Sequence, residues 1–150
     1  MCHKLSRGFA LVTAIFLLVV LSALGAYLLS ISSIQHTTAA LDLMGARAYQ
    51  AARAGIEWGA YQALQNPGGA YATACRTGAA SSNMVFPGNL AALSTTVSCS
   101  ASSHTEAGNS VTVYQLTSTA CNLPVAGACP NASPGSGDYV ERQLQAGLAK

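Results

Sequence analysis

Phe9, Ala10, Leu11, Val12, Thr13, Ala14, Ile15, Phe16, Leu17, Leu18, Val19, Val20, Leu21, Ser22, Ala23, Leu24, Gly25, Ala26, Tyr27, Leu28 and Leu29 form one uncharged, largely apolar run. No Asp, Glu, Lys or Arg lies between Arg7 and Asp42. Roughly 20 apolar residues suffice to cross a bilayer as a helix, so 9–29 reads as a transmembrane segment. In front of it stand Met-Cys-His-Lys-Leu-Ser-Arg-Gly, with Lys4 and Arg7 as charges. A secretory signal peptide places its small-residue cleavage site after the apolar stretch. Here the small residue, Gly8, comes before it. Cleavage at that point would leave the hydrophobic segment on the mature chain.

Lys4 and Arg7 are the basic side chains flanking the run, and they favour a cytoplasmic N-terminus. Residues from about 35 onward then lie outside the cytoplasm. Charged residues make up 8% of the chain, and the mean hydropathy is positive. Both point to membrane contact or to an assembled polymer. The formal charge is +2, and without Lys4 and Arg7 the chain carries five basic and five acidic residues. No basic stripe exists for nucleic acid to bind.

The helix is expected to continue beyond the membrane. Residues 35–65 hold no proline and favour helix through Ala, Leu, Gln, Arg and Met. Asn66-Pro67-Gly68-Gly69 is a stop signal. Gly25, Ser32-Ser33 and Thr37-Thr38 are weak points where the helix could bend. Ala51, Gly55, Gly59 and Ala63 recur every four residues and form a shallow groove suited to close contact with a sheet. Trp58, Tyr61 and Leu64 form a bulky apolar edge with an expected core role. Gly55, Trp58, Gly59 and Tyr61 are thus the expected helix–sheet packing residues. Arg53 and Glu57, four apart, are expected to pair on the solvent side.

Residues 66–92 lack either period and read as a long irregular connection. Three strands are expected after it: 94–102, with Val97 and Cys99; 110–119, with Tyr114 and Leu116 on one face; and 139–146. A turn falls in 104–109 at Gly108-Asn109. Consecutive strands with short turns favour an antiparallel sheet, so the fold class is α+β. A head of ~80–90 residues is marginal without staples. Cys2 lies ahead of Gly8, which leaves Cys75, Cys99, Cys121 and Cys129. An even number in an oxidising compartment favours two disulfides. Three pairings are open. Cys121–Cys129 with Cys75–Cys99 is favoured, since the first closes a short Pro/Gly-rich loop.

Catalytic and metal signatures are missing from the sequence. There is no G-x-S-x-G, no H-E-x-x-H and no phosphate-cradling Gly-rich loop. A tetrathiolate zinc site would show paired C-x₂-C knuckles, and none is present. His36 and His104 are far apart and have no orienting partner set. No enzyme activity, cofactor or small-molecule substrate is expected. Residues 127–137 are either an exposed recognition loop or slack.

The leader, Gly8 and the apolar helix resemble a type IV prepilin. Arg-Gly-Phe-Ala-Leu-Val-Thr at 7–13, Ala-Ala-Arg-Ala-Gly-Ile-Glu-Trp-Gly at 51–59, Val-Tyr-Gln-Leu-Thr-Ser at 113–118 and Tyr-Val-Glu-Arg-Gln-Leu at 139–144 resemble the MshP family. These are minor pilin-like proteins of the mannose-sensitive haemagglutinin (MSHA) pilus, related to PilX-type minor pilins. The resemblance implies a type IV pilin-like fold divided as follows: leader 1–8, membrane and filament-core helix 9–34, periplasmic helix 35–65, connecting loop 66–92 and sheet head 93–150. It implies cleavage between Gly8 and Phe9 by a prepilin peptidase, and N-methylation of Phe9. It further implies a single-pass inner-membrane precursor that assembles through its helix with other minor pilins and the major pilin, in an initiating or tip complex. Cys121–Cys129 would resemble the C-terminal disulfide loop of pilins. One departure concerns Thr13, where most pilin families carry a glutamate that neutralises a neighbour's N-terminal amine. Thr13 cannot form that ion pair; this resembles PilX-type and K-type subunits at or near a filament tip, or is a tolerated loss in a low-copy subunit. Two rival readings are a minor pseudopilin of a type II secretion system and an uncleaved single-span membrane protein with a periplasmic binding domain.

Overall fold

The computed structural model describes residues 7–150, with side chains for 11–31 and 35–150. Lys4 and the rest of the expected leader up to Ser6 lie outside the described residues, as does the side chain of Phe9. The elements are α1 (Arg7–Leu64), α2 (Ala70–Thr77), β1 (Ala79–Met84), β2 (Ser94–Glu106), β3 (Asn109–Cys121) and β4 (Glu141–Ala149), with a 3₁₀ turn at Gly88–Leu90. The chain divides into two compact units, one ending at Ala40 and the other comprising Leu41–Lys150. Helix α1 runs without a break through Gly25, Ser32-Ser33 and Thr37-Thr38. It ends where Asn66 and Pro67 stop it.

In the second unit α1 packs on a four-stranded antiparallel sheet ordered β1-β2-β3-β4. The positions of α1 buried here are Gly45, Ala48, Ala51, Ala52, Gly55, Gly59 and Ala63, spaced three and four apart. All are Gly or Ala, so the helix backbone comes close to the strands. A Cβ added at Gly55 would run into the Ser118 hydroxyl and lie 2.9 Å from methyl carbons of Thr95 and Val97. One at Gly59 would lie 3.2 Å from Val97 and 3.3 Å from Leu116. Thr95, Val97 and Cys99 of β2 and Tyr114, Leu116, Ser118 and Ala120 of β3 form the facing surface, since alternate residues of a strand share a face.

The core has two clusters. Ala48, Ala51, Ala52, Leu93, Ala120 and Val140 pack with Leu41, Met44, Phe86, Leu90 and Leu144. Ala63, Cys75, Ala80, Cys99, Tyr114 and Leu116 pack with Ile56, Ala60 and Tyr71. Strands β2 and β3 pair without interruption from Ser94↔Cys121 to Glu106↔Asn109. Ala107 (φ 49°) and Gly108 (φ 85°) make the turn between them, both in the left-handed region that a two-residue hairpin needs. This moves the expected turn back by one residue.

Three expectations are corrected. Residues 66–92 are not an irregular connection, because they hold α2, β1 and the 3₁₀ turn. Strand β1, Ala-Ala-Ser-Ser-Asn-Met, has little intrinsic strand preference; pairing with β2 over Ala79↔Ser100 to Met84↔Thr95 creates it. The sheet therefore starts at Ala79, has four strands rather than three, and ends with β4 at Ala149. Tyr61 does not pack on the sheet and is 59% exposed. Trp58 is half-buried at the flank, edge-on to Tyr71 of α2 with ring centroids 4.8 Å apart. The sheet takes the Gly/Ala face because a bulky residue there would hold it off.

Gly55→Ala is expected to destabilise the protein by about 1–3 kcal/mol through overpacking. The buried Ser118 hydroxyl has no hydrogen-bond partner, so Ser118→Ala should cost little by itself. Combined with Gly55→Ala it should recover part of the loss. Thermal unfolding of the four forms checks this, and strict additivity would refute the close contact at Gly55.

Candidate functional site

Among the described residues, the part of α1 up to Ala40 buries almost none of its side chains. Leu11, Phe16, Leu18, Leu21, Leu28 and Leu29 are each more than 60% exposed. Consecutive exposed positions in a helix point in all directions, so the apolar surface surrounds α1 here. Inside the apolar run Ser22 donates its hydroxyl back to the Val19 carbonyl at 2.9 Å. Helix α1 is the one helix among the described residues long and apolar enough to cross a membrane. Gly8, Phe9 and Thr13 all fall in its first turns.

The second feature is the stapled head. Cys75 is bonded to Cys99, with Cα atoms 5.3 Å apart, and Cys121 to Cys129, with Cα atoms 5.8 Å apart. All four are buried. The first bond ties α2 to β2. The second closes a loop after β3. Each bond contributes about 2–4 kcal/mol by restricting the unfolded chain. With their sulfurs bonded to each other, these cysteines cannot act together as a tetrathiolate ligand set. Among the described residues no three or more His, Cys, Asp or Glu side chains gather.

The loop after β3 is organised by side chains the sequence did not single out. The Ser94 hydroxyl donates to the Gly127 carbonyl. The Cys129 amide donates to Thr96 Oγ1 at 2.8 Å. Asn122 acts twice: its Nδ2 donates to the Asp138 carbonyl at 2.8 Å, and its Oδ1 accepts the Val140 amide at 2.9 Å. The Asn131 amide donates to the Tyr139 hydroxyl at 2.9 Å, and Asn131 Nδ2 donates to the Leu123 carbonyl at 3.0 Å. The Tyr139 hydroxyl donates to Glu141 Oε2. Burial, and then this bond to Glu141, push the Tyr139 phenol above its ordinary pKa. Gly127, Cys129 and Asn131 are therefore tied to their surroundings, while 132–137 stay exposed. The one available signal for this was Asn122 and Asn131, since Asn side chains cap turns through local backbone bonds.

Other candidate groups stay separate. Ser102 Oγ and His104 Nε2 are 3.0 Å apart on the exposed β2–β3 hairpin. No ion pair joins His104 to Glu106, although the two share a strand face, and both are exposed. Arg53 and Glu57 pair at 3.1 Å with both side chains well exposed, a contact worth a few tenths of a kcal/mol. No family model, curated protein or solved structure matches this chain.

Tyr71 reports on the packing of α2. Burial pushes its pKa from 10.0 up to about 12. The folded form therefore keeps its proton where the unfolded form loses it. Stability should be level below pH 10 and fall as pH rises towards 12. Absorbance titration should show one phenol near 12 that vanishes in Tyr71→Phe and moves back towards 10 in Trp58→Ala. A Trp58→Ala titration identical to the parent would refute burial by Trp58.

Proposed function

We propose that this chain is a minor pilin-like structural subunit, made as a single-pass inner-membrane precursor and assembled into a type IV pilus of the MSHA kind. The observation that carries the reading is α1. One continuous helix has an apolar first part whose described side chains are nearly all exposed, and a second part whose Gly/Ala face carries a small antiparallel sheet. In a bilayer that apolar surface is satisfied by lipid. In a filament it is satisfied by the same segment of neighbouring subunits, and no other part of the chain supplies comparable apolar area. The Lys4/Arg7 flank supports a cytoplasmic N-terminus. Gly8 ahead of Phe9 supports cleavage by a prepilin peptidase, followed by methylation of the new amine. Thr13 in place of an acidic residue suits a position at or near the filament tip, where no neighbour's amine above needs neutralising. The work of the protein in this reading is physical: the helix exchanges lipid for other pilin helices, and the head offers lateral contacts. No substrate, cofactor or nucleic acid enters it.

Intact mass and N-terminal sequencing of protein recovered from membranes carrying the cognate peptidase test this. The expected product starts at methylated Phe9, with a mass lowered by two hydrogens for each of the two disulfides. Gly8→Asp should leave the leader in place. A start at Met1 with the peptidase active would overturn the pilin reading and leave an uncleaved membrane protein. Correct processing combined with copurification of secretion-system subunits instead of pilus subunits would move the protein to a type II secretion pseudopilus.

A further inference from the structure

The loops of the second unit fall at two ends. Strand β2 runs alongside α1 in the same direction, with Thr95 and Val97 under Gly55 and Val97 under Gly59. The pair Ser94↔Cys121 therefore marks the end nearer Leu41. Phe86, Leu90 and Leu93 pack there with Leu41, Met44 and Ala48. The connection 85–93 and the loop 122–140 share that end. The turn at Ala107 and Gly108 lies at the other, ~40 Å away along β2.

The chemistry of the Leu41 end is unusual for exposed loops, where charged side chains normally concentrate. Residues 85–93 contain no charge, and the first charge in 122–140 is Asp138. Val85 is 61% exposed, Val125 57% and Leu123 40%. Between the two segments lies an open cleft of about 330 Å³, lined in part by Met84, Val85, Leu93 and Pro124. The Cys121–Cys129 bond and the Ser94–Gly127 hydrogen bond hold this surface in shape. Arg142 lies over Gly45 at the same end. It donates to the Glu141 carbonyl at 2.8 Å, and among the described residues it has no carboxylate partner. Of the acids at this end, Glu141 is engaged by Tyr139, and Asp138 and Asp42, the latter three residues before Gly45 on α1, are exposed.

Chain length indicates what this surface meets. Leu41 follows Ile34 by seven residues, which span at most ~25 Å even when fully extended. Whatever the angle of the chain between them, this end of the unit stays near a bilayer that holds 9–34. We propose that it docks on the phospholipid surface, with Val85, Leu123 and Val125 entering the boundary between headgroups and acyl chains and Arg142 meeting a lipid phosphate. The docking rests on the membrane-spanning part of the function proposed above and not on cleavage at Gly8.

The test uses the full chain, with both disulfides formed, in vesicles of phosphatidylcholine and phosphatidylglycerol. A photoreactive phenylalanine analogue is placed singly at Leu18, Val85, Thr105 or Val125, and lipid adducts are counted by mass spectrometry. The expected yield at Val85 and Val125 is about tenfold that at Thr105, an exposed site at the far end, for side chains held within the lipid boundary. Val85→Asp with the probe at Val125 should lower the yield severalfold. Adducts at Leu18 with none at Val85 or Val125 above the Thr105 level would overturn the docking and leave the membrane span standing. No adduct at Leu18 would overturn both. Adducts to a second protein chain at Val125, in place of lipid, would also overturn it.

Discussion

The contact between the Gly55 backbone and the sheet sets the geometry of the head. Ser118, Thr95 and Val97 all press on the space a side chain would fill. Such closeness sets strand side chains directly against the helix backbone, which requires a helix face made of Gly and Ala. The consequence is a thin apolar layer. Alanine and glycine bury little area each, and the largest fully buried side chains are Leu93, Leu116 and Val97. At about 25 cal/mol per Å² of apolar area, a face of this kind stabilises the head less than a leucine-rich one would. Two buried hydroxyls, on Thr95 and Ser118, have no hydrogen-bond partner, which subtracts further.

The rest of the head offsets this weakness at its margins. Cys75–Cys99 binds α2 to the sheet, and Trp58 closes over Tyr71. Cys121–Cys129 and the Asn122 and Asn131 hydrogen bonds stiffen the long loop. Lys150 Nζ donates to the Leu64 carbonyl at 2.8 Å, so Lys150 caps the end of α1. A cation there also suits the negative end of the helix dipole. The stabilising elements thus sit around a close-packed centre, and the head keeps its shape without a large core.

The apolar part of α1 is built on the opposite principle, with bulky side chains that, among the described residues, are mostly exposed. The same helix therefore changes from a surface that needs a nonpolar surrounding to one that accepts a sheet at van der Waals distance. The change follows composition: Leu, Val, Ile and Phe dominate 9–29, whereas Gly and Ala occupy the buried positions from Gly45 onward.

Local chemistry made much of this legible. An uncharged apolar run, a proline-free continuation and the Asn66-Pro67 stop define α1, because helix formation and its termination depend on neighbouring residues. The four-residue repeat of Ala51, Gly55, Gly59 and Ala63 located the packing face, and alternation placed Tyr114 and Leu116 together on one strand face. The weak strand Ala79–Met84 was not legible, since its hydrogen bonds come from β2, a strand beginning ten residues after it ends. Nor was the exposure of Tyr61 against the burial of its neighbours: hydrophobicity says that a side chain can be buried, while the distance between helix and sheet decides which ones fit. Sequence by itself determined the apolar helix and the four cysteines that follow it. Tertiary structure decided which cysteines meet, which face of the helix is covered and how the 122–140 loop is held, because each depends on groups brought together from distant parts of the chain.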